Sequence, residues 1–172
     1  MRRPLPQENQ AYFQHYIDLV KNDDVLQELN DQLAAVQLLI ASVPSDKEDF
    51  SYAPHKWSIK QVIGHLADTE RIMAYRVLRF SRKDKTNLSG FDENTYVANA
   101  DFNNRTLAEL GHEFTAMRSA NLLLFKHLNE ATLDETGFAN GREASVRAIL
   151  FMMAGHVLHH LNVLKTNYLT VA

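Results

Sequence analysis

Trp57-Ser58-Ile59-Lys60-Gln61-Val62-Ile63-Gly64-His65-Leu66-Ala67-Asp68-Thr69-Glu70 carries two helix-start signals at its head and a helical apolar period behind them. Ser58 and Gln61 are spaced as a capping box, in which each side chain takes up a backbone N–H of the first turn, and Trp57 and Val62 stand at the two positions of a hydrophobic staple. Ile59, Val62, Ile63, Leu66, Met73, Val77 and Phe80 recur at helical spacing, so the helix is expected to run to about Ser81. Arg82-Lys83-Asp84-Lys85 and Gly90 follow, with the cations where the helix dipole ends negative.

The same reading finds three more long helices on either side. Asp24 can cap a helix that carries Val25, Leu29, Leu33, Val36 and Ile40 and stops at Val43-Pro44. Thr106 and Glu109 form a second capping box, opening a helix through Leu110, Phe114, Met117, Leu124 and Leu128, after which Gly137 and Gly141 mark a break. The last helix starts near Ser145, shows Val146, Leu150, Met153, Val157, Leu161 and Leu164 as its stripe, and continues to about Tyr168 and the C-terminus. Residues 86–105 make a link too long for a simple antiparallel turn, with a short helix expected over 92–100. Tyr12, Phe13, Tyr16, Ile17 and Val20 form a short periodic piece, expected to pack on the outside of the bundle as an N-terminal arm. The fold class is therefore all-α: a four-helix bundle, one domain over residues 1–172, with a long link between the second and third long helices.

A chain of 172 residues that is 45 % apolar and 23 % charged folds without staples. Eighteen Lys and Arg stand against 21 Asp and Glu, a net charge of -3 that argues against nucleic acid as a partner of the whole domain. There is no cysteine, so disulfides, thiolate metal sites and a catalytic thiol are excluded, leaving His, Asp and Glu as strong metal ligands. Thiol chemistry would need a thiol from outside. Met1-Arg2-Arg3-Pro4 opens no apolar run, and no stretch approaches the roughly 18 apolar residues of a membrane span, so the expected location is cytoplasmic.

Three of eight histidines fall in His156-Val157-Leu158-His159-His160, within an otherwise apolar helix. His156 and His160, at i and i+4, share a face, and their nitrogens can reach one metal. His159 is a rival for the second place. The same run also suits a satisfied core histidine, a helix-end cation or a solvated His159. If the second and fourth long helices are neighbours, His65 completes a set of three imidazoles that leaves a coordination position for water or substrate.

The Trp57–Glu70 stretch, together with Gly155-His156-Val157-Leu158-His159-His160 and the link's Gly90-Phe91-Asp92-Glu93-Asn94-Thr95-Tyr96, resembles the DinB-like, YfiT-type four-helix bundle superfamily over nearly the whole chain. That resemblance implies a divalent metal, nickel or zinc, on three histidines that map onto His65, His156 and His160. It implies relatives that are thiol transferases using bacillithiol, mycothiol or glutathione, others that are metal-dependent hydrolases, and frequent homodimers. The function expected is a metal-dependent S-transferase or hydrolase acting on a small molecule; the alternative is a non-enzymatic metal- or ligand-binding or dimerising module.

Candidate catalytic groups beside the histidines are Asp68, Asp92, Glu93 and Tyr96. Asp68 and Glu70 could orient an imidazole or act as a base, or could lie on a solvated face with Glu70 paired to an arginine. Asp92, Glu93 and Tyr96 could fold over a site mouth, or serve in helix capping and core filling. Arg71, Arg76, Arg79, Arg82, Lys83 and Lys85 could receive an acidic substrate or a nucleic-acid phosphate, but dipole complementation and solubility are the preferred reading. Trp57 reads as a packing residue.

Overall fold

The computed structural model describes residues 1–169. A 3-10 turn at Pro6–Glu8 precedes α1 (Ala11–Leu19), α2 (Val25–Ala41), α3 (Ile59–Ser81), α4 (Glu93–Asn99), α5 (Leu107–Phe125), α6 (Glu130–Leu133), strands β1 (Thr136–Ala139) and β2 (Arg142–Ser145), and α7 (Val146–Val163). All four long helices start on a side-chain cap. Asp24 accepts from the N–H groups of Leu26 and Gln27, Ser58 from Gln61, Thr106 from Glu109 and Ser145 from Ala148. Both expected capping boxes are complete. At the other end α7 gives way to a π-helical turn over Leu164–Leu169, and the expected run to the C-terminus lies outside the described residues.

The buried apolar residues fall into two clusters, and their order along each helix gives the topology. In α2, Val25 and Leu29 belong to the first cluster and Val36 and Leu39 to the second; α7 runs the same way, from Val146 to Leu161. In α3 and α5 the order is reversed, from Ile59 to Phe80 and from Leu107 to Phe125. α3 packs against α5 and α7, and α2 against the same two, so α2 and α3 face each other across the diagonal. Because α3 and α5 run parallel as neighbours, the chain must return along the length of α3, about 34 Å at 1.5 Å per residue, before α5 can begin. That return is the long link.

A polar layer separates the two clusters. Arg118 on α5 is fully buried and donates to both Glu70 carboxylate oxygens on α3 (2.9 and 2.8 Å), to the Leu29 carbonyl and to Gln32 Oε1 on α2 (each 3.0 Å). Gln32 Nε2 donates to the Ala154 carbonyl on α7 at 2.9 Å, so one network touches all four long helices. Glu70 is thus paired with an arginine, but in the core, where the sequence reading had a solvated face.

The N-terminal piece packs on the outside of the four long helices as expected, and two later segments depart from expectation. The N-terminal piece is a helix that packs on α7, with Ile17 and Val20 wholly inside, and Arg3 donates to both of their carbonyls. The helix expected through Leu128 stops at Phe125, and Asn129 caps the short α6. The expected break at Gly137 and Gly141 is an antiparallel hairpin in which Ala139 pairs with Arg142. Asn140 and Gly141 fill its two-residue turn with φ of 54° and 69°, the left-handed pair that a type I′ turn needs. Leu88 of the link joins the hairpin, donating to the Phe138 carbonyl and accepting from Asn140. Among the described residues no helix is long and apolar enough to cross a membrane.

Glu70→Ala leaves a buried guanidinium without its counter-charge and is expected to cost about 3–5 kcal/mol in urea denaturation, with Glu70→Leu/Arg118→Met closer to wild type than either single change. Tyr168 makes a second prediction. Its hydroxyl donates to the Trp57 carbonyl at 2.7 Å, and burial, with Tyr52 adding to it, pushes its pKa up to about 12. Raised above the unfolded value, it favours the folded state fully below about pH 10, and that contribution fades as pH climbs toward 12. Tyr168→Phe should lose about 1 kcal/mol at neutral pH and show a flatter alkaline limb in stability-versus-pH curves.

Candidate metal centre and cavity

His65 projects from α3 beside Trp57, whose ring centroid is 4.7 Å from the imidazole. His156 and His160 project from α7, the neighbour of α3, one turn apart. His65 Nε2 lies 3.0 Å from His156 Nε2, and His160 Nε2 lies 3.1 Å from that same atom. The three histidines are the group of metal-competent side chains that converges among the described residues.

Two observations test whether these donors fit a metal. Bonds of about 2.0–2.1 Å at tetrahedral angles hold ligand nitrogens about 3.3 Å apart, close to the 3.0 and 3.1 Å that separate His156 Nε2 from the other two. An imidazole Nε2 offers one lone pair or one proton, so His156 Nε2 cannot satisfy two neighbouring nitrogens by hydrogen bonding, whereas a shared cation satisfies all three. Burial also keeps the rings neutral. It lowers His65 to about 4 and His160 to about 3, the latter with help from His65 and His159, and it holds His156 well below the usual imidazole range, with His160 and His65 adding to the effect. Neutral rings have their lone pairs free at neutral pH.

All three rings line one cavity of about 500 Å³, a size that suits a small organic ligand. Its walls come from outside the bundle core as much as from within it: Phe13 and Tyr16 of α1, Phe91 of the link, Ala144 of the hairpin, and Met73 and Met152 of the long helices. Tyr16 stands edge-on to His156 and His159, with centroids at 5.5 and 5.4 Å.

The four other candidates separate clearly. Glu93 lines the cavity. Asp92 is the cap of α4, accepting from Thr95 N–H at 2.7 Å. Tyr96 is 46 % exposed and packs on Phe91. Asp68 lies off the cavity lining in an ion-pair group with Arg71, which also pairs with Glu113. His159 turns away from the convergent nitrogens toward Tyr16 and His15. Trp57 and Arg76, assigned to packing and to dipole complementation from sequence, both line the cavity.

The sequence model of the DinB superfamily matches residues 28–164, which include all four long helices and the three histidines apart from the first turn of α2. The chain belongs to the DinB superfamily. Its fold is similar to that of YfiT from Bacillus subtilis, described as "a probable metal-dependent hydrolase with an unusual four-helix bundle topology", with a TM-score of 0.78 and 16 % identity over 95 % of this chain and 90 % of that one. It is also similar to the mycothiol-dependent maleylpyruvate isomerase, with a TM-score of 0.67 and 14 % identity, covering 86 % of this chain and 61 % of that one. No curated protein matches the chain by sequence.

Within this DinB bundle Gly155 explains how α1 reaches the centre. A Cβ built there would meet the Tyr16 carbonyl oxygen at 1.9 Å, so the backbones of α1 and α7 touch one residue before His156. Gly155→Ala is expected to lift α1, destabilise the protein by about 1–3 kcal/mol and speed amide exchange over residues 11–19 while α3 stays protected. Unchanged exchange in that segment would show that the contact does not seat the helix.

Proposed function

We propose that the protein holds one divalent ion, nickel or zinc, on His65, His156 and His160 and carries out a thiol transfer or a hydrolysis on a small molecule in the adjoining cavity. The observation that supports this most directly is that three neutral imidazoles, each able to give a lone pair, meet at the wall of an open cavity instead of being sealed in the core. When bound, such an ion polarises an electrophile or lowers the pKa of a water or a thiol. Three protein ligands leave a position for that reactant.

The chain's own groups divide the remaining work. Trp57 packs on His65 and Tyr16 on His156, restricting ring rotation on both helices. Tyr16 is held above the usual phenol pKa by burial, with Tyr12 and Glu93 adding to it, so at neutral pH it keeps its proton and can donate to charge developing on a substrate. Phe13, Met73 and Met152 line the space with apolar surface that excludes water. Since the chain has no cysteine, the nucleophile in a thiol transfer arrives as a second small molecule. The description of YfiT supports the hydrolysis, and the mycothiol dependence of the similar isomerase supports a low-molecular-weight thiol as the second molecule.

Elemental analysis of untagged protein tests the reading. About one equivalent of nickel or zinc is expected in the wild type, and His65→Ala and His156→Ala should each weaken binding by more than the 10- to 100-fold typical of changes around a metal's ligands. Metal-loaded wild type should then accelerate the reaction of a low-molecular-weight thiol with an aryl halide, or the hydrolysis of an activated amide. His156→Ala should do neither. A wild type that takes up no divalent ion when zinc and nickel are offered would overturn the proposal.

A further inference from the structure

His65, Thr69 and Arg76 lie within about 40° of one another around α3, and all three line the cavity. Arg76 differs from its neighbours on the helix. Arg71 is paired with Asp68 and Glu113, and Arg79 with Asp84, but among the described residues no carboxylate pairs with Arg76. Its guanidinium has one long bond to the Ser89 carbonyl (3.3 Å) and one contact with Met73 Sδ (3.7 Å). Desolvation works against its charge, lowering its pKa. Thr69, 5 % exposed and lining the same cavity, has a buried Oγ1 without a hydrogen-bond partner. A partly buried cation with most of its five donors unused and a buried hydroxyl with none used are both costly unless a ligand completes them.

We propose that Arg76 is the anchor for a carboxylate on the molecule handled at the three histidines, with Thr69 meeting a polar atom nearer the reacting end. This rests on the preceding proposal only in taking the histidines as the reacting centre. The contact with Met73 shows that the Arg76 side chain leans back along α3 toward His65. Arg76 stands about 16 Å along the helix from His65 at 1.5 Å per residue, and the lean of its side chain brings the guanidinium back to the level of Met73, about 12 Å from His65. Apart from the Thr69 hydroxyl, the wall between them is apolar at Met73, so the ligand is an acid with a largely apolar body of that reach. A carboxylate suits the site better than a phosphate. The planar Arg76 guanidinium matches its two oxygens, Arg142, the other arginine on the lining, is engaged by Gln10 Oε1, and Glu93 in the same cavity opposes a dianion.

The carboxylate could belong to the electrophile or to the thiol, and two probe pairs separate these sources. Trp57, the single tryptophan and part of the cavity wall, reports binding by fluorescence. The first pair is 4-phenylbutyrate and 4-phenylbutyramide; the second is 8-mercaptooctanoate, whose carboxylate and thiol stand at opposite ends of an apolar chain, and its neutral amide 8-mercaptooctanamide. At least one acid is expected to bind tenfold or more tightly than its neutral partner, and the pair that discriminates identifies the source. Arg76→Met should abolish that preference and Arg76→Lys should retain part of it, with circular dichroism confirming that both variants are folded. Chelator-treated wild type and His160→Ala keep the preference if Arg76 holds the carboxylate. If the preference disappears on metal removal, the acid was bound by the ion and the assignment to Arg76 fails. Equal affinity within both pairs, or an unchanged preference in Arg76→Met, also overturns it. A protein that takes up no metal yet keeps an Arg76-dependent preference would sink the proposed function and leave this anchor standing.

Discussion

The buried pairing of Arg118 with Glu70 is the constraint from which the arrangement of the four long helices follows. A guanidinium with no exposed surface needs its donors met, and here they are met from α2 and α3, with Gln32 carrying the network on to α7. Apolar packing alone tolerates small rotations and slips of a helix. A slip of one residue here would strand a buried charge. The layer therefore fixes rotation and height together, and the candidate ligands are tied to it through the backbone: His65 lies five residues before Glu70 on α3, and His156 two residues after the Ala154 carbonyl on α7. Replacing such a layer with well-packed apolar residues often raises stability, so its value here is in register.

Whatever depends on local chemistry was legible in the sequence. The capping boxes at Ser58 and Thr106, the four apolar stripes and the length of the link need only residues near one another in the chain, and the structure forms them, with the third stripe ending at Phe125 instead of Leu128. His156 and His160 were legible for the same reason, since i,i+4 spacing is a property of one helix. Placing His65 beside them needed the adjacency of α3 and α7, which the stripes alone do not encode. Glu70 was misread because its partner lies 48 residues away, and a carboxylate on a helix is solvated unless such a partner is known. The hairpin left a direct signal, Asn140-Gly141, which the two widely spaced glycines obscured when read only as a break. Gly155 left none, because the atom it makes room for belongs to α1, 139 residues earlier.

The centre combines parts under different constraints. The three histidines stand on two long helices whose register is locked, so the spacing of their nitrogens is set by the most rigid part of the molecule. The cavity walls facing them are supplied by α1, the start of α4 and the hairpin, which lie outside the four long helices: α1 is seated on α7 through Ile17 and the Tyr16 carbonyl at Gly155, and the hairpin is joined to the link through Leu88. Metal geometry is degraded by shifts of a few tenths of an ångström, whereas a binding wall can change shape and still bind something. Ligands on the bundle with walls on the attachments therefore let the walls be remodelled without disturbing the donors. On this reasoning Arg76 occupies an informative position, because it stands on the rigid helix and yet faces the adjustable walls. An anchor there keeps its distance from His65 whatever the walls become, so a change in the attachments would alter which apolar body fits while leaving the separation between anion and reacting centre as α3 sets it.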